Sequence, residues 1–204
     1  DKLLENRAQV DQEEELEAPD DNFRLSQFLF PQLKAITLQQ PLADAVLLGL
    51  KKVEGRNHPL KMPKKGGMWM ALHVGRSLDH FTNYQVMQGA RQLWPACPLI
   101  PTNRKRMGCI VGMMHIKECI AAHLCRDPWR NVPNSYPYYL VIDKILPIPE
   151  AIHHRHSFQM WTINETVAQD IVAFMGERKG RLFEYPTLPK ADVLTEGYQV
   201  KAVA

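Results

Sequence analysis

The chain has 204 residues, of which 45% are hydrophobic and 23% are charged, and this composition suits one globular domain with tails. No apolar run approaches the roughly 18–20 residues of a membrane-spanning helix, so we expect no membrane partner. The first residues, Asp1-Lys2-Leu3-Leu4-Glu5, do not have the pattern of a signal peptide. Since the chain does not begin with Met, we expect a fragment, a processed form or the ordered part of something longer.

The cysteines bear on the compartment. The chain has four cysteines, Cys97, Cys109, Cys119 and Cys125. No two of them form a C-x-x-C pair, and four are too few for a disulfide framework. They predict reduced, partly buried thiols in an intracellular protein. Whether that protein is nuclear, cytoplasmic or organellar stays open.

The formal net charge of +3 is unevenly distributed. Residues 1–21 hold nine acidic and two basic residues, a net charge of −7, so the remainder carries +10. A body with this charge attracts polyanions. The acidic segment predicts a solvated or disordered tail, which could mask the basic body, bind a basic partner or serve only to solubilise the chain.

The predicted elements begin with a strand at Ala35–Leu38 and a short helix that starts at Pro41 and ends at Gly49. Residues 51–56 predict an extended strand, and residues 57–67 a loop. Capping side chains predict two further helices, from Ser77 to about Gly89 and from Asn164 to Gly176. The remaining predicted segments are strands at Met68–Val74, Gly108–Cys119, Tyr138–Ile145 and Phe158–Ile163, a loop at Trp94–Arg106 and an extended stretch from Leu182.

These elements predict an α+β fold, with a small closed or half-closed β-barrel, peripheral helices and extended N- and C-terminal tails. The predicted boundaries are an acidic tail at 1–32, the barrel domain at 33–176 and a C-terminal extension at 177–204. Barrels of this kind bind ligands at a mouth or along a groove.

The segment Gly49-Leu50-Lys51-Lys52-Val53-Glu54-Gly55-Arg56 is the strongest candidate site. Strand alternation places Lys52, Glu54 and Arg56 on one face and Lys51 on the other, with Glu54 between two cations. Arg56 offers a planar fork for phosphate or carboxylate, and Gly55 leaves the backbone open to close approach. The alternative interpretation is a solvated, salt-bridged strand.

Further cations could extend this site along a phosphate backbone. Lys61, Lys64 and Lys65 share one predicted loop, and Arg104–Arg106 lie in another. Each run alone is typical of a solvated loop, but two runs beside the motif strengthen the binding interpretation. The predicted nucleic-acid-binding residues are Lys51, Lys52, Glu54, Arg56, Lys64, Lys65, Arg76, Arg104, Lys105 and Arg106.

Histidine and tryptophan residues give weaker signals. His153, His154 and His156 lie close in sequence, but no carboxylate or cysteine stands at a standard metal-ligand spacing, so we expect neither a metal nor another cofactor. His73 lies in the apolar strand predicted at Met68–Val74, so we expect it to be a core residue rather than a ligand contact. Trp69 and Trp161 are also predicted core residues, whereas Trp94 and Trp129 could be exposed stacking or partner surfaces.

The pattern Gly49-x-Lys51-x-x-Glu54-x-Arg56, after a Gln40-Pro41 helix start, resembles the signature of the ASCH domain. That domain is named after the activating signal cointegrator and belongs to the PUA-like superfamily. Gly67–His73, Gly108–Met114 and Phe158–Ile163 resemble family strands, and the likeness covers residues 36–163. Val53-Glu54-Gly55-Arg56 looks most like the eukaryotic, coactivator-like branch. Leu42 differs from the aromatic residue that the family often has, and a lost stacking contact would remove about 1–3 kcal/mol per base.

The resemblance implies a PUA-like barrel with a basic cleft lined by Lys51, Glu54 and Arg56, and a role in binding RNA or single-stranded DNA. Some bacterial relatives are amidohydrolases that act on modified cytidine and others are reported as ribonucleases, so a hydrolase is the alternative. Glu54 stands where the amidohydrolases have Thr, so their nucleophile is missing and binding is favoured over catalysis. If the protein is an enzyme, Lys51 and Glu54 are the catalytic candidates. A third hypothesis is a structural subunit of a ribonucleoprotein assembly, with protein partners bound through the tails.

Overall fold

The structure is a computed structural model that describes residues 33–64, 66–101, 103–155, 160–177 and 183–184. The predictions for the acidic tail at 1–32, for Lys65 and for most of the C-terminal extension therefore lie outside the described residues. Within them, no helix is both long and apolar enough to cross a bilayer.

One mixed, seven-stranded sheet forms the framework. Its central strands follow the order β2-β5-β4-β3-β1-β6, and β7 pairs with β5. The pair β1–β3 is parallel and the other pairs are antiparallel. The strands are β1 (Lys34–Leu38), β2 (Val53–Arg56), β3 (Met68–Val74), β4 (Cys109–Ala121), β5 (Tyr138–His153), β6 (Met160–Thr162) and β7 (Phe183–Glu184).

Helices and short turns surround this sheet. Asn164 Oδ1 accepts a hydrogen bond from Val167 N at 2.9 Å, as the predicted cap requires. The α-helices are α1 (Leu42–Leu47), α2 (Asp79–Thr82), α3 (Tyr84–Leu93) and α4 (Glu165–Glu177), and 3-10 turns cover Arg104–Arg106, Ala122–Leu124 and Pro128–Asn131.

The sheet is curled into a half-barrel because its two longest strands bend. The β4–β5 ladder shifts register between Ile110 and Gly112 and twice more between His115 and Glu118. Such shifts insert extra residues, bend the strand and increase its twist. The predicted α+β fold with a small barrel-like sheet and peripheral helices is therefore confirmed.

Both faces of the curled sheet are buried. Alternate residues of β3, such as Met70 and Leu72, pack on one side with Val46 of α1. Ala71 points to the opposite face, where Trp161 and Ile171 of α4 cover it. A third apolar cluster joins α1, β2 and α3 and includes Trp129, which is 4% exposed.

The buried location of Trp129 makes the expectation of an exposed surface there wrong. Its 3-10 turn starts at Asp127, whose Oδ1 accepts a hydrogen bond from Trp129 N at 2.8 Å and turns the indole inward.

The helix predicted from Ser77 to Gly89 is also wrong as a single element. Asn83, with φ −85° and ψ 106°, interrupts it and caps α3 through hydrogen bonds to Gln85 N and Val86 N.

His73 is a core residue, as predicted, since it is fully buried. Its Nδ1 lies 3.3 Å from Thr37 Oγ1, which accepts a hydrogen bond from Trp161 Nε1 at 3.0 Å. Its Nε2 lies 3.2 Å from the carbonyl oxygen of His154. These contacts fix the segment after β5 against β1 and β3.

Candidate functional site

The end of α1 positions the candidate segment. Gly49 adopts φ 74°, a left-handed conformation that glycine accepts easily. The backbone N–H groups of Leu50 and Lys51 then both donate to Ala45 O, at 2.9 and 3.0 Å. The chain is therefore still wrapped against α1 at Lys51, and extended pairing begins only at Val53.

Lys51 lies in the protein interior, with 1% of its side chain exposed. Its Nζ donates to Glu54 Oε2 at 2.7 Å and also to Val53 O. The predicted alternation is wrong at this position, because Lys51 precedes the strand and its side chain turns toward Glu54. An ammonium group held by two oxygens in the interior is compensated for its lost hydration.

Glu54 and Arg56 form the accessible part of the same cluster. Arg56 Nη2 lies 3.7 Å from Glu54 Oε1, and the two side chains are 21% and 13% exposed. Glu54 therefore lies between Lys51 and Arg56, rather than between Lys52 and Arg56. Arg56 Nη2 is itself buried and has no hydrogen-bond partner in the described part of the chain.

His80 of α2 belongs to this cluster, although sequence reasoning did not single it out. Burial lowers the pKa of His80 below its ordinary value, the Glu54 and Asp79 carboxylates oppose this shift, and the Lys51 ammonium adds to it. The ring is therefore neutral at pH 7. Its Nδ1 is buried without a hydrogen-bond partner among the described residues.

Gly55 makes room for a side chain of the protein itself. A Cβ atom at this position would lie 2.5 Å from Cγ of Tyr136. The expected close approach to the Gly55 backbone is thus made by the Tyr136 ring. This ring packs against the third apolar cluster and leaves the Glu54 and Arg56 side chains as the polar groups of β2.

A second group of polar side chains lies at the start of α1. Gln39 Oε1 and Gln40 Oε1 are both buried without hydrogen-bond partners in the described residues. Gln40 Nε2 donates to Asp44 Oδ1 at 3.4 Å. Burial raises the pKa of Asp44 above its ordinary value, whereas the Arg106 guanidinium and the Gln40 amide lower it. The 3-10 turn of Arg104–Arg106 therefore lies near the first turn of α1.

The predicted surface cations do not form one patch. Arg76 packs on Gly108 and donates to His153 Nε2 at 2.7 Å, near the C-terminal end of β3 and the turn with exposed Arg104 and Lys105. Lys64 is exposed in the loop that leads to the N-terminal end of β3. Seven extended residues separate these ends, which is about 20 Å.

Lys52 is partly exposed and its side chain lies apart from the buried Lys51 side chain. It borders a groove of ≈ 450 Å³ with cationic Lys117 and Arg126. Carboxylates of Glu118, Asp127 and Asp143 line the same groove. Because the two signs of charge are mixed there, this groove is less suited to a polyanion than the Arg104–Arg106 turn is.

No protein-family model and no curated protein sequence matches the chain. A crystal structure of ASCH from Zymomonas mobilis is similar to it, at 11% identity and a TM-score of 0.41, over 70% of this chain and 94% of that one. Two single-substitution variants of the same bacterial protein match at 11% and 12% identity, with TM-scores of 0.41 and 0.38, over 70% of this chain and 95% and 98% of theirs.

At these identities and TM-scores the similarity does not indicate what the chain does, and its function has to be inferred from its own residues. The specific resemblance to the eukaryotic cointegrator branch stays a prediction.

Proposed function

We propose that the chain is a nucleic-acid-binding module for RNA or single-stranded DNA, and that Arg56 is the main contact in its cleft. The observation that carries this proposal is the buried Nη2 of Arg56, which has no hydrogen-bond partner in the described residues. A buried donor without a partner costs about 1–3 kcal/mol, and more when it is charged. An oxygen of a phosphodiester would satisfy it, since guanidinium groups pair well with phosphate.

Lys51 and Glu54 have different roles in this proposal. Lys51 is enclosed by Glu54 Oε2 and Val53 O, so its ammonium group orients the cluster instead of contacting a ligand. Glu54 in turn faces Arg56 across 3.7 Å, a separation longer than a hydrogen bond. The guanidinium is therefore held beside Glu54 by charge, and the hydrogen-bonding capacity of its Nη2 is left for a ligand oxygen that enters the cluster.

The exposed cations near α1 supply the nonspecific attraction. Arg104 and Lys105 are exposed on a turn whose next residue, Arg106, acts electrostatically on Asp44. Phosphate contacts of this kind position a strand and make its affinity depend on salt. They would hold the backbone while groups of the cleft contact one nucleotide.

The test is a salt titration of binding to labelled single strands of about twelve nucleotides, a length within known site sizes. We expect log K to fall linearly with log salt between about 50 and 200 mM, with a slope of about −0.7 for each phosphate contacted. The double variant Arg104→Gln/Lys105→Gln should reduce the magnitude of that slope by about 1.4. Fluorescence anisotropy measures both quantities.

The matched control is Lys117→Gln/Arg126→Gln, which removes the same charge from the mixed-charge groove. Both of these side chains are exposed, so neither substitution should alter the fold. The control should leave the salt slope unchanged. An affinity that does not respond to salt would contradict the proposed function, and an equal effect of both double variants would contradict the assigned surface.

A hydrolase acting on RNA or a modified nucleoside is the second candidate. The observation that favours it is the neutral His80 ring beside Glu54, because a neutral imidazole and a carboxylate can both act as general bases. We expect wild type, and not Glu54→Gln, to turn over N4-acetylcytidine or labelled RNA if this candidate is correct. Chromatography of the products measures turnover, and its absence with both substrates would end this candidate.

A further inference from the structure

His80 has a ring nitrogen whose hydrogen-bonding capacity the described residues do not use. Its Nδ1 is buried, and no group in the described residues forms a hydrogen bond with it. The charged groups that act on the ring are Glu54 of β2, Lys51 before that strand and Asp79 of its own helix. Two of these three groups belong to the candidate cleft, so His80 belongs to the same site.

We infer that His80 is a binding residue of the cleft, whose Nδ1 accepts a hydrogen bond from an O–H or N–H group of the bound nucleic acid. This inference rests on the proposed function and specifies which chemical groups the site recognises. Arg56 and His80 then divide the recognition between them. Arg56 Nη2 donates to a ligand oxygen, and His80 Nδ1 accepts from a ligand donor.

The chemistry of the ligand explains why an acceptor is informative. A phosphodiester carries no proton, so its oxygens can only accept hydrogen bonds, which Arg56 can donate and an acceptor nitrogen cannot. A neutral imidazole offers one acceptor nitrogen while its other nitrogen carries the proton. The inference places the proton of His80 on Nε2 and leaves Nδ1 as the acceptor. The partner of Nδ1 is then a sugar hydroxyl or a base N–H, and those two sources can be separated by experiment.

The pH dependence has a sign that distinguishes this role from simple charge attraction. Acid protonates His80, which removes its acceptor. Because the pKa of His80 lies below the ordinary 6.5, we expect affinity to fall only as the pH decreases below that value. If His80 contributed only charge, the added positive charge would instead strengthen binding to a polyanion. The two roles thus predict opposite slopes.

The experiment compares wild type with His80→Ala and His80→Asn, using fluorescence anisotropy of labelled single-stranded RNA. His80→Ala should weaken binding about 2–10-fold, the effect of one neutral hydrogen bond. His80→Asn places an amide oxygen where Nδ1 lies, so it should restore affinity to within about twofold and abolish the loss in acid. Circular dichroism at each pH confirms that the variants remain folded.

Two modified strands identify the source of the donor. A 2′-O-methyl strand keeps the bases and removes the sugar hydroxyl, whereas an abasic strand keeps the phosphates and removes every base N–H. The strand that lacks the donor should bind wild type and His80→Ala with equal affinity, and the other should keep the difference between them. Equal differences on both strands would overturn the inference.

The inference also fails if His80→Ala binds like wild type or if acid strengthens wild-type binding. These failures differ from that of the proposed function, because the salt dependence of binding would persist. Loss of salt dependence would contradict the proposed function, whatever His80 does.

Discussion

Lys51→Met is expected to lower the free energy of unfolding by about 3 kcal/mol, because it breaks a buried ion pair by removing one partner. Only 1% of the Lys51 side chain is exposed, and its Nζ lies 2.7 Å from Glu54 Oε2. The substitution leaves a carboxylate in a poorly hydrated place and removes the donor that Val53 O accepts. Arg56, at 3.7 Å, compensates only part of the lost charge, since it is too far for a hydrogen bond.

Urea denaturation followed by circular dichroism measures this loss. Lys52→Met is the matched control, since the neighbouring side chain is partly exposed and should change stability by no more than about 0.5 kcal/mol. Lys51→Met/Glu54→Gln should recover part of the lost stability, because the uncompensated charge is then gone. Equal stability of Lys51→Met and wild type would show that the ammonium group is hydrated instead of buried.

This expected instability changes how the cluster of Lys51, Glu54 and Arg56 should be tested. A joint replacement of Lys51 and Arg56 by Ala would remove binding for either of two reasons, a lost contact or a lost fold. Since Lys51 supports the cluster from the interior, its replacement mainly tests the fold. Arg56 and His80 each have a buried atom without a hydrogen-bond partner in the described residues, so their substitution tests binding more directly.

The sequence predicts much of the sheet because its strands have strong apolar patterns. Met68–Val74 is apolar on both faces, and the strand occupies those residues with both faces covered. The Gly49 helix stop is equally local, since one left-handed residue ends α1. Local sequence patterns therefore predict the features that local interactions determine, such as this strand and this helix end.

The candidate site depends on contacts that sequence spacing does not contain. Strand alternation failed for Lys51 because the Ala45 carbonyl holds its backbone before the strand begins. His80 lies far along the chain from Glu54, and only the packing of α2 brings them together. Tyr136 fills the space beside Gly55 for the same reason, because β5 brings it there from a distant part of the sequence.

Arg56→Gln is expected to weaken binding of single-stranded RNA about 10–100-fold, since a hydrogen bond to a charged group contributes about 1.5–3 kcal/mol. Its effect on stability should stay within about 1 kcal/mol, because Lys51 still pairs with Glu54 at 2.7 Å and the 3.7 Å contact of Arg56 is too long for a hydrogen bond. Anisotropy at constant salt measures the affinity, and thermal unfolding measures the stability. Arg126→Gln removes the same charge from the mixed-charge groove and should leave affinity within about twofold, the scale of an exposed charge.

Arg56→Lys separates charge from geometry at the same position. It keeps the positive charge but loses the planar fork, so it should recover only part of the affinity lost in Arg56→Gln. Full recovery would mean that Arg56 acts as a point charge, and then its partnerless Nη2 would not explain recognition. Partial recovery, together with an unchanged fold, would place a directed hydrogen bond between Arg56 and the bound strand, beside the acceptor that we infer at His80.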